Sequence, residues 1–231
     1  MKVLCAICAR GGSKGVKNKN IKKLNGIPLI AHTIFQAKKS RIFTKIAVST
    51  DSKNIQNISK KFGAETWFLR PKHLSSDKSE KQLAVRHLLI SAEKYYKIKF
   101  DVIVDLDATS PLRKINDIKL SFKKFKDTKS DVLFTICESK KNPYFNMVEI
   151  INNKIRLVKG KVNHILRRQD APKVYDLGAD SIQKRKIVLK KGRKDLFKQK
   201  TSYYLIPPER SVDIDTQHDW KFVNFLINNT D

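Results

Sequence analysis

The sequence predicts a mostly parallel α/β sheet with helices on both faces, and three observations carry that prediction. Short apolar runs alternate with helix-period segments through the first two thirds of the chain. The first run, Val3-Leu4-Cys5-Ala6-Ile7-Cys8, is apolar throughout, as a strand buried on both faces must be. Polar segments follow the strand ends, which is where open parallel sheets bind ligands.

Each element follows from local pattern. Pro28 opens a helix in which Ile30, Thr33, Ile34 and Ala37 share a face. Lys45 to Ser49 reads as the second strand, and Asp51 or Ser52 caps a helix carrying Ile55, Ile58 and Phe62 and ended by Gly63. Glu65 to Leu69 is the expected third strand, followed by a helix from about Ser79 to Tyr95. Phe100 to Leu106 is the fourth strand, a helix burying Ile115, Ile118, Phe122 and Phe125 comes next, and Asp131 to Cys137 is the fifth strand. From Ser139 to Asp180 the rhythm changes: Asn142-Pro143, Asn152-Asn153 and Lys159-Gly160 punctuate the short strand-like runs 146–151 and 154–158. This stretch is expected to be a small antiparallel arm inserted into one α/β domain of residues 1–138 and 181–231. A basic helix over Lys184 to Lys194, a strand at Tyr203 to Ile206 and a closing helix presenting Trp220, Val223, Leu226 and Ile227 complete the chain.

Composition narrows the function. Of 231 residues, 49 are Lys or Arg against 22 Asp or Glu, a formal charge of +27. The cations are mostly lysines spread along the chain, without the arginine clusters or aromatic interleaving of a nucleic-acid binder, so the excess is expected to attract small anions. No apolar run has the length of a membrane span. Cys5 and Cys8, three apart on a strand, point to opposite faces and read as core residues rather than a redox or zinc pair. With Cys137 they make three cysteines, no disulfide framework, and the five histidines lack metal-ligand spacing. A cytoplasmic protein is expected.

Four clusters carry the chemistry. Arg10-Gly11-Gly12-Ser13-Lys14-Gly15 through Lys17, Lys19 and Asn20 follows the first strand; its glycines let backbone N–H groups approach an anion, and its cations neutralise one. The loop is neither a Walker A motif nor G-x-G-x-x-G, and a polyphosphate cradle is the expected use. Asp105 and Asp107, two apart on an extended segment, face the same way and are fit to share a cation or a sugar hydroxyl, just before the cap Thr109-Ser110-Pro111. Asp213 and Asp215 alternate with Val212 and Ile214, so both carboxylates face the loop, either around a divalent metal and phosphates or in direct salt bridges to its lysines. Arg167-Arg168-Gln169, in the arm, could clamp a carboxylate or simply form a basic rim.

Taken together, these segments resemble the N-acylneuraminate cytidylyltransferases, the CMP-sialic acid synthetases, and most of all the members acting on legionaminic acid. The resemblance runs nearly end to end through Arg10 to Asn20, Val48-Ser49-Thr50-Asp51, Leu69-Arg70-Pro71 with Ser76-Asp77, Thr109-Ser110-Pro111-Leu112-Arg113, Arg168-Gln169 with Pro172, and Asp213-Ile214-Asp215-Thr216. It implies a Rossmann-like nucleotidyltransferase sheet with a dimerisation arm, and a Mg²⁺-dependent reaction of CTP with a nine-carbon 2-keto sugar acid that yields a CMP-sugar and pyrophosphate. It further implies that Arg10, Gly11, Gly12, Ser13, Lys19, Asn20 and Arg70 hold the nucleotide, with Lys19, Arg10, Asp213 and Asp215 catalytic. Asp213 and Asp215 would hold the metal, and Asp107, Arg168 and Gln169 would meet the sugar acid, the last two across a homodimer interface.

The sequence departs from the family pattern at three places. Asp107-Ala108 replaces the frequent Gln-Pro, pointing to a different sugar substituent or extra metal binding; Asn142 to Asn146 lacks the usual lysine; and Leu177-Gly178-Ala179-Asp180 lacks the usual Asn. A nucleotidyltransferase for another sugar acid, such as the eight-carbon Kdo, and a basic nucleic-acid-binding module are the competing readings. The first expects a different glycine-loop pattern, and the second expects duplex affinity that falls steeply with salt.

Overall fold

A computed structural model, described over residues 1–160, 165, 167–190 and 196–229, gives the element order. The chain runs β1 (Val3–Cys8), β2 (Lys23–Leu24), β3 (Ile27–Pro28), α1 (Leu29–Ser40), β4 (Lys45–Ser49), α2 (Lys53–Lys61), α3 (Lys81–Tyr96), β5 (Val102–Asp105) and α4 (Ile115–Asp127). It continues through β6 (Val132–Glu138), β7 (Val148–Ile151), β8 (Lys154–Leu157), β9 (Tyr175–Lys184), α5 (Arg185–Val188), β10 (Thr201–Leu205) and α6 (Gln217–Asn229). The central sheet has six strands in the order β10-β6-β9-β5-β1-β4. Five strand pairings explain it: β1 pairs parallel with β4 and β5, β10 pairs parallel with β6, and β9 runs antiparallel between β5 and β6.

The apolar first strand divides its side chains between two cores, as the two-residue period of a strand requires. Val3, Cys5 and Ile7 join Ile30 and Ile34 of α1 and Ile118, Phe122 and Phe125 of α4. Leu4 and Ala6 join Val85, Leu88, Leu89 and Ala92 of α3 and Val188 of α5. Cys5 lies in the first core and Cys8 packs on the second, so the two thiols diverge. Burial pushes the Cys8 thiol up to about 12 and Cys5 well above its ordinary range, which keeps both neutral. A third core positions the site. Ile214, fully buried, packs with Val16, Leu24 and Leu29 and with Trp220 and Val223 of α6, tying the acidic segment to the glycine loop.

The expected third strand is reduced to one parallel bridge, Ala47 to Glu65; the chain then turns so that Trp67 and Phe68 pack against the α3 side of the sheet. Ser211 to Asp215 is irregular rather than a strand, although its alternation survives: Ile214 is buried while Asp213 and Asp215 are exposed. The basic helix expected over 184–194 is the single turn α5, and residues 191–195, like His164, lie outside the described residues. The ladder of β9 already pairs Tyr175 with Glu138, so residues 175–180, read from sequence as the end of the arm, extend the central sheet. What projects is the β7–β8 hairpin, exposed at every residue, with Ile150 and Ile155 at 74% and 72% accessibility.

Candidate active site

Beyond the carboxyl ends of β1 and β5 lies a hollow of about 450 Å³ lined by Arg10, Ser13, Lys14, Gly15, Lys19, Asn20, Arg70, Asp107, Asp213 and Asp215, among others. The loop after β1 therefore meets the 211–216 segment on the same side of the sheet. Gly15 is what lets them meet: a Cβ there would sit 1.9 Å from the Asp215 carbonyl oxygen, closer than any side chain permits. Lys19, on a short 3-10 turn, is only 11% exposed, and its ammonium donates to the Ile214 carbonyl and to Asp215 Oδ1 at 3.0 Å. An ammonium has three donors, so one remains for the hollow.

Two other cations of the loop, Arg10 and Lys14, are held by a carboxylate that sequence reading noted only as part of a motif. Asp77 takes Arg10 and Lys14 at 2.5 Å each, and the hydrogen bond from Lys14 with the charge of Arg10 holds its carboxyl below the usual range. All three side chains are well exposed, so this is a contact an anionic ligand displaces at little cost. Arg70 is buried and donates from Nε to Ser75 Oγ at 3.0 Å. Asn20 Nδ2 donates to the Arg10 carbonyl at 3.0 Å, while its Oδ1 is buried without a hydrogen-bond partner among the described residues.

Two glycines behave differently from the expectation. Gly11 spends its N–H on Asp51 Oδ1 at 2.8 Å, and neither Gly11 nor Gly12 lines the hollow. The loop presents side chains and the Gly15 backbone to the cleft, not a full ring of amides.

A second lobe of about 770 Å³ adjoins the first, sharing Ser79, Lys81, Asp107 and Asp213. At the junction Lys81 of α3 lies 2.8 Å from both Asp105 Oδ2 and Asp107 Oδ2, which bears out their common direction. Desolvation and its acidic neighbour Asp107 raise Asp105 to about 6, against the pull of Lys81; its Oδ1 is buried and unpartnered among the described residues. Asp107 is kept below its ordinary value, because Lys81 outweighs the cost of desolvation. Asp213 is raised by desolvation in the cleft and then by Asp107 and Asp215 nearby, and its Oδ1 accepts weakly from Ser110 Oγ at 3.5 Å.

The backbone of Asp107 is gripped from both sides by an ion pair that the sequence did not announce. Asp180 of β9 receives Arg113 Nε at 2.5 Å and NH2 at 2.6 Å, and it accepts the Asp107 N–H at 3.0 Å. Arg113, 3% exposed, returns NH2 to the Asp107 carbonyl at 3.0 Å. A register shift in the β6–β9 ladder between Phe134 and Ile136 aims Asp180 there. Gly178 permits the shift, since a Cβ would lie 2.4 Å from Thr135 Oγ1.

Arg168 and Gln169 are not in this cleft. They line a separate hollow of about 380 Å³ with Glu138, Asn142 and Lys173, and Arg168 donates to the Lys140 carbonyl at 2.8 Å. Arg167 clamps Asp170, its own neighbour, at 2.8 and 3.1 Å. Among the described residues no group of three or more His, Cys, Asp or Glu is arranged to hold a metal alone, and no helix is long and apolar enough to cross a membrane.

The chain is similar to known proteins along nearly its whole length. Residues 4–227 match the family model described as cytidylyltransferase. A CMP-N,N′-diacetyllegionaminic acid synthase of Campylobacter jejuni is 42% identical over 97% of this chain and 94% of its own. A pseudaminic acid cytidylyltransferase of the same species is 35% identical over 98% and 96%. Among solved structures, a CMP:2-keto-3-deoxy-manno-octonic acid synthetase complexed with CTP superposes with a TM-score of 0.73 over 99% of both chains at 14% identity, a likeness of fold.

Proposed function

Because the chain belongs to the cytidylyltransferase family, we propose that it joins CTP to a nine-carbon 2-keto sugar acid of the legionaminic type, releasing pyrophosphate. The observation that carries this reading is the meeting of the cationic loop, Lys19 and the Asp213–Asp215 pair around one hollow that opens into a second lobe. The identity to a legionaminic acid synthase favours that sugar class over the eight-carbon acid and over a nucleic-acid role.

The residues divide the work. Arg10, Ser13 and Lys14 receive the triphosphate, Arg70 and Asn20 hold the nucleoside side, and the unpartnered Asn20 Oδ1 accepts from it. The third donor of Lys19 meets the α-phosphate, where negative charge grows as the sugar's anomeric oxygen bonds to phosphorus and the bond to the β-phosphate breaks. No side chain of the enzyme attacks. Asp213 and Asp215 are hard oxygen donors, and a pair of carboxylates without a full cage suits Mg²⁺, which completes its shell with substrate phosphates and water. Asp213 and Asp215 would hold the ion, and the chemistry it would supply is neutralisation of charge on the triphosphate and pyrophosphate. Asp107, fixed through its backbone, accepts from sugar hydroxyl or amide groups.

The exposed hairpin favours a homodimer: an isolated two-stranded hairpin with apolar residues such as Ile150 and Ile155 in solvent needs a partner surface. In a dimer, Arg168 and Gln169 reach the sugar site of the second copy. The unpaired cysteines suit the reducing cytoplasm. Pyrophosphate release from CTP against a panel of nine-carbon sugar acids tests the reading; release with a legionaminic-type acid supports it, and release with none of them refutes it.

A further inference from the structure

Resting on the reading of the first lobe as the nucleotide's place, we infer that Asp77 is a built-in competitor of the phosphate chain. Its carboxylate holds Arg10 and Lys14 until a polyphosphate displaces it, and takes them again as pyrophosphate leaves. Asp77 lies on a segment that, with Arg10 and Lys14, lines the hollow. Tight turns shape that segment, with the Leu74 N–H on the Pro71 carbonyl and the Ser79 N–H on the Ser76 carbonyl, and buried Arg70 ties it down through Ser75.

The geometry is that of an anion bridging two cations. Asp77 gives one oxygen to each: Oδ1 meets the Arg10 guanidinium and Oδ2 the Lys14 ammonium. Two oxygens of one phosphate, or of neighbouring phosphates, make the same pair of contacts. The hydrogen bond from Lys14, with the charges of Lys14 and Arg10, holds the carboxyl below its usual range, so Asp77 is ionised at neutral pH. A phosphate and this carboxylate cannot share the two cations without bringing like charges together, so one excludes the other. The exchange favours the ligand, because exposed ion pairs are weak and a polyphosphate brings more charge and more oxygens. Asp77 therefore lowers the affinity of the loop for every phosphate anion, and this eases the departure of pyrophosphate. A carboxylate that instead arranged the two cations for the ligand would raise that affinity, so the sign of the effect separates the two roles.

The test is calorimetric titration of the unaltered protein and of Asp77→Asn with CTP, inorganic pyrophosphate and cytidine, at fixed salt and Mg²⁺. The variant is expected to bind CTP and pyrophosphate about 3- to 10-fold more tightly, the worth of two exposed ion pairs, with cytidine held within about twofold because it has no phosphate. The gain should shrink in a Lys14→Met background, where half of the contact is already gone. Simple removal of a nearby negative charge would give the same gain with or without Lys14. Equal or weaker CTP binding by a folded Asp77→Asn variant overturns the assignment, as does an equal gain for cytidine or a gain undiminished in the Lys14→Met background. No binding of CTP or pyrophosphate by the unaltered protein refutes the nucleotide reading of the lobe instead, and the Asp77 assignment goes with it.

Discussion

The two lobes of the cleft are built by different means. The lobe proposed for the nucleotide is built mainly on one loop, residues 10–20, folded against the short segment 213–215, with Arg70 and the 74–79 stretch closing its side, so much of it lies in consecutive residues. The second lobe is assembled from side chains that arrive separately: Lys81 from α3, Asp105 and Asp107 after β5, Asp180 from β9. A lobe made from a loop carries its chemistry in sequence order. One made by tertiary pairing carries it only once the strands are in place.

This difference is why most of the first lobe was legible, whereas in the second only the Asp105–Asp107 pair, itself a local signal, was. Glycine spacing, cation density and the Asp-x-Asp alternation at 213 and 215 are local signals, and Ile214 in the third core fulfils the alternation even though no regular strand forms. The sheet itself was legible for the same reason, since β1, β4, β5 and β6 announce themselves as apolar runs. Three things were not. Strand β9 inserts antiparallel between β5 and β6, and nothing in its period distinguishes that place from an arm. Asp180 becomes a buried partner of Arg113 only through the register shift beside Gly178. Lys81 was hidden by abundance: in a chain with 49 basic residues, composition cannot single out the one held between two carboxylates.

Four experiments sharpen the contrast. The largest effect belongs to the nucleotide lobe: Asp213→Asn or Asp215→Asn should cut turnover by about 100-fold or more while leaving the circular dichroism spectrum intact, as removal of metal-ligating charge at a phosphoryl-transfer site does. Retained turnover with EDTA present would count against it. Next, Gly15→Ala should displace the loop from Asp215, weakening CTP binding by at least about tenfold by calorimetry, because the added Cβ cannot be accommodated 1.9 Å from a backbone oxygen. Unaltered CTP affinity would mean the loop and the 211–216 segment are not packed as described.

The remaining two act on the second lobe. Arg113→Met strands the buried Asp180 carboxylate and should cost roughly 3–5 kcal/mol of unfolding free energy in a denaturant titration, with Asp180→Asn milder because the Asn oxygen, Gln36 and the Asp107 carbonyl still accept from the Arg113 guanidinium. Equal and small losses for both would remove the pair from the framework of Asp107. The smallest effect is a pH dependence. Asp105 rises from its ordinary 3.8 to about 6 in the folded chain, so the folded state binds the proton more tightly than the unfolded one. Its stabilising contribution is complete below its unfolded value and is lost as pH rises through about 6. The stability of Asp105→Asn relative to the unaltered protein should therefore increase between about pH 4 and 6 in paired denaturation series, and a flat difference would contradict the assigned shift.

The account's central claim is that residues 10–20 and the carboxylates of Asp213 and Asp215 grip a triphosphate together with a divalent ion. Calorimetric titration of CTP with and without Mg²⁺ measures this directly, in the unaltered protein and in a variant carrying Asp213→Asn and Asp215→Asn. The prediction is that Mg²⁺ tightens CTP binding at least about tenfold in the former and has no effect in the latter. Equal CTP affinity with and without the metal in the unaltered protein, or metal-enhanced binding that survives loss of both carboxylates, would contradict it.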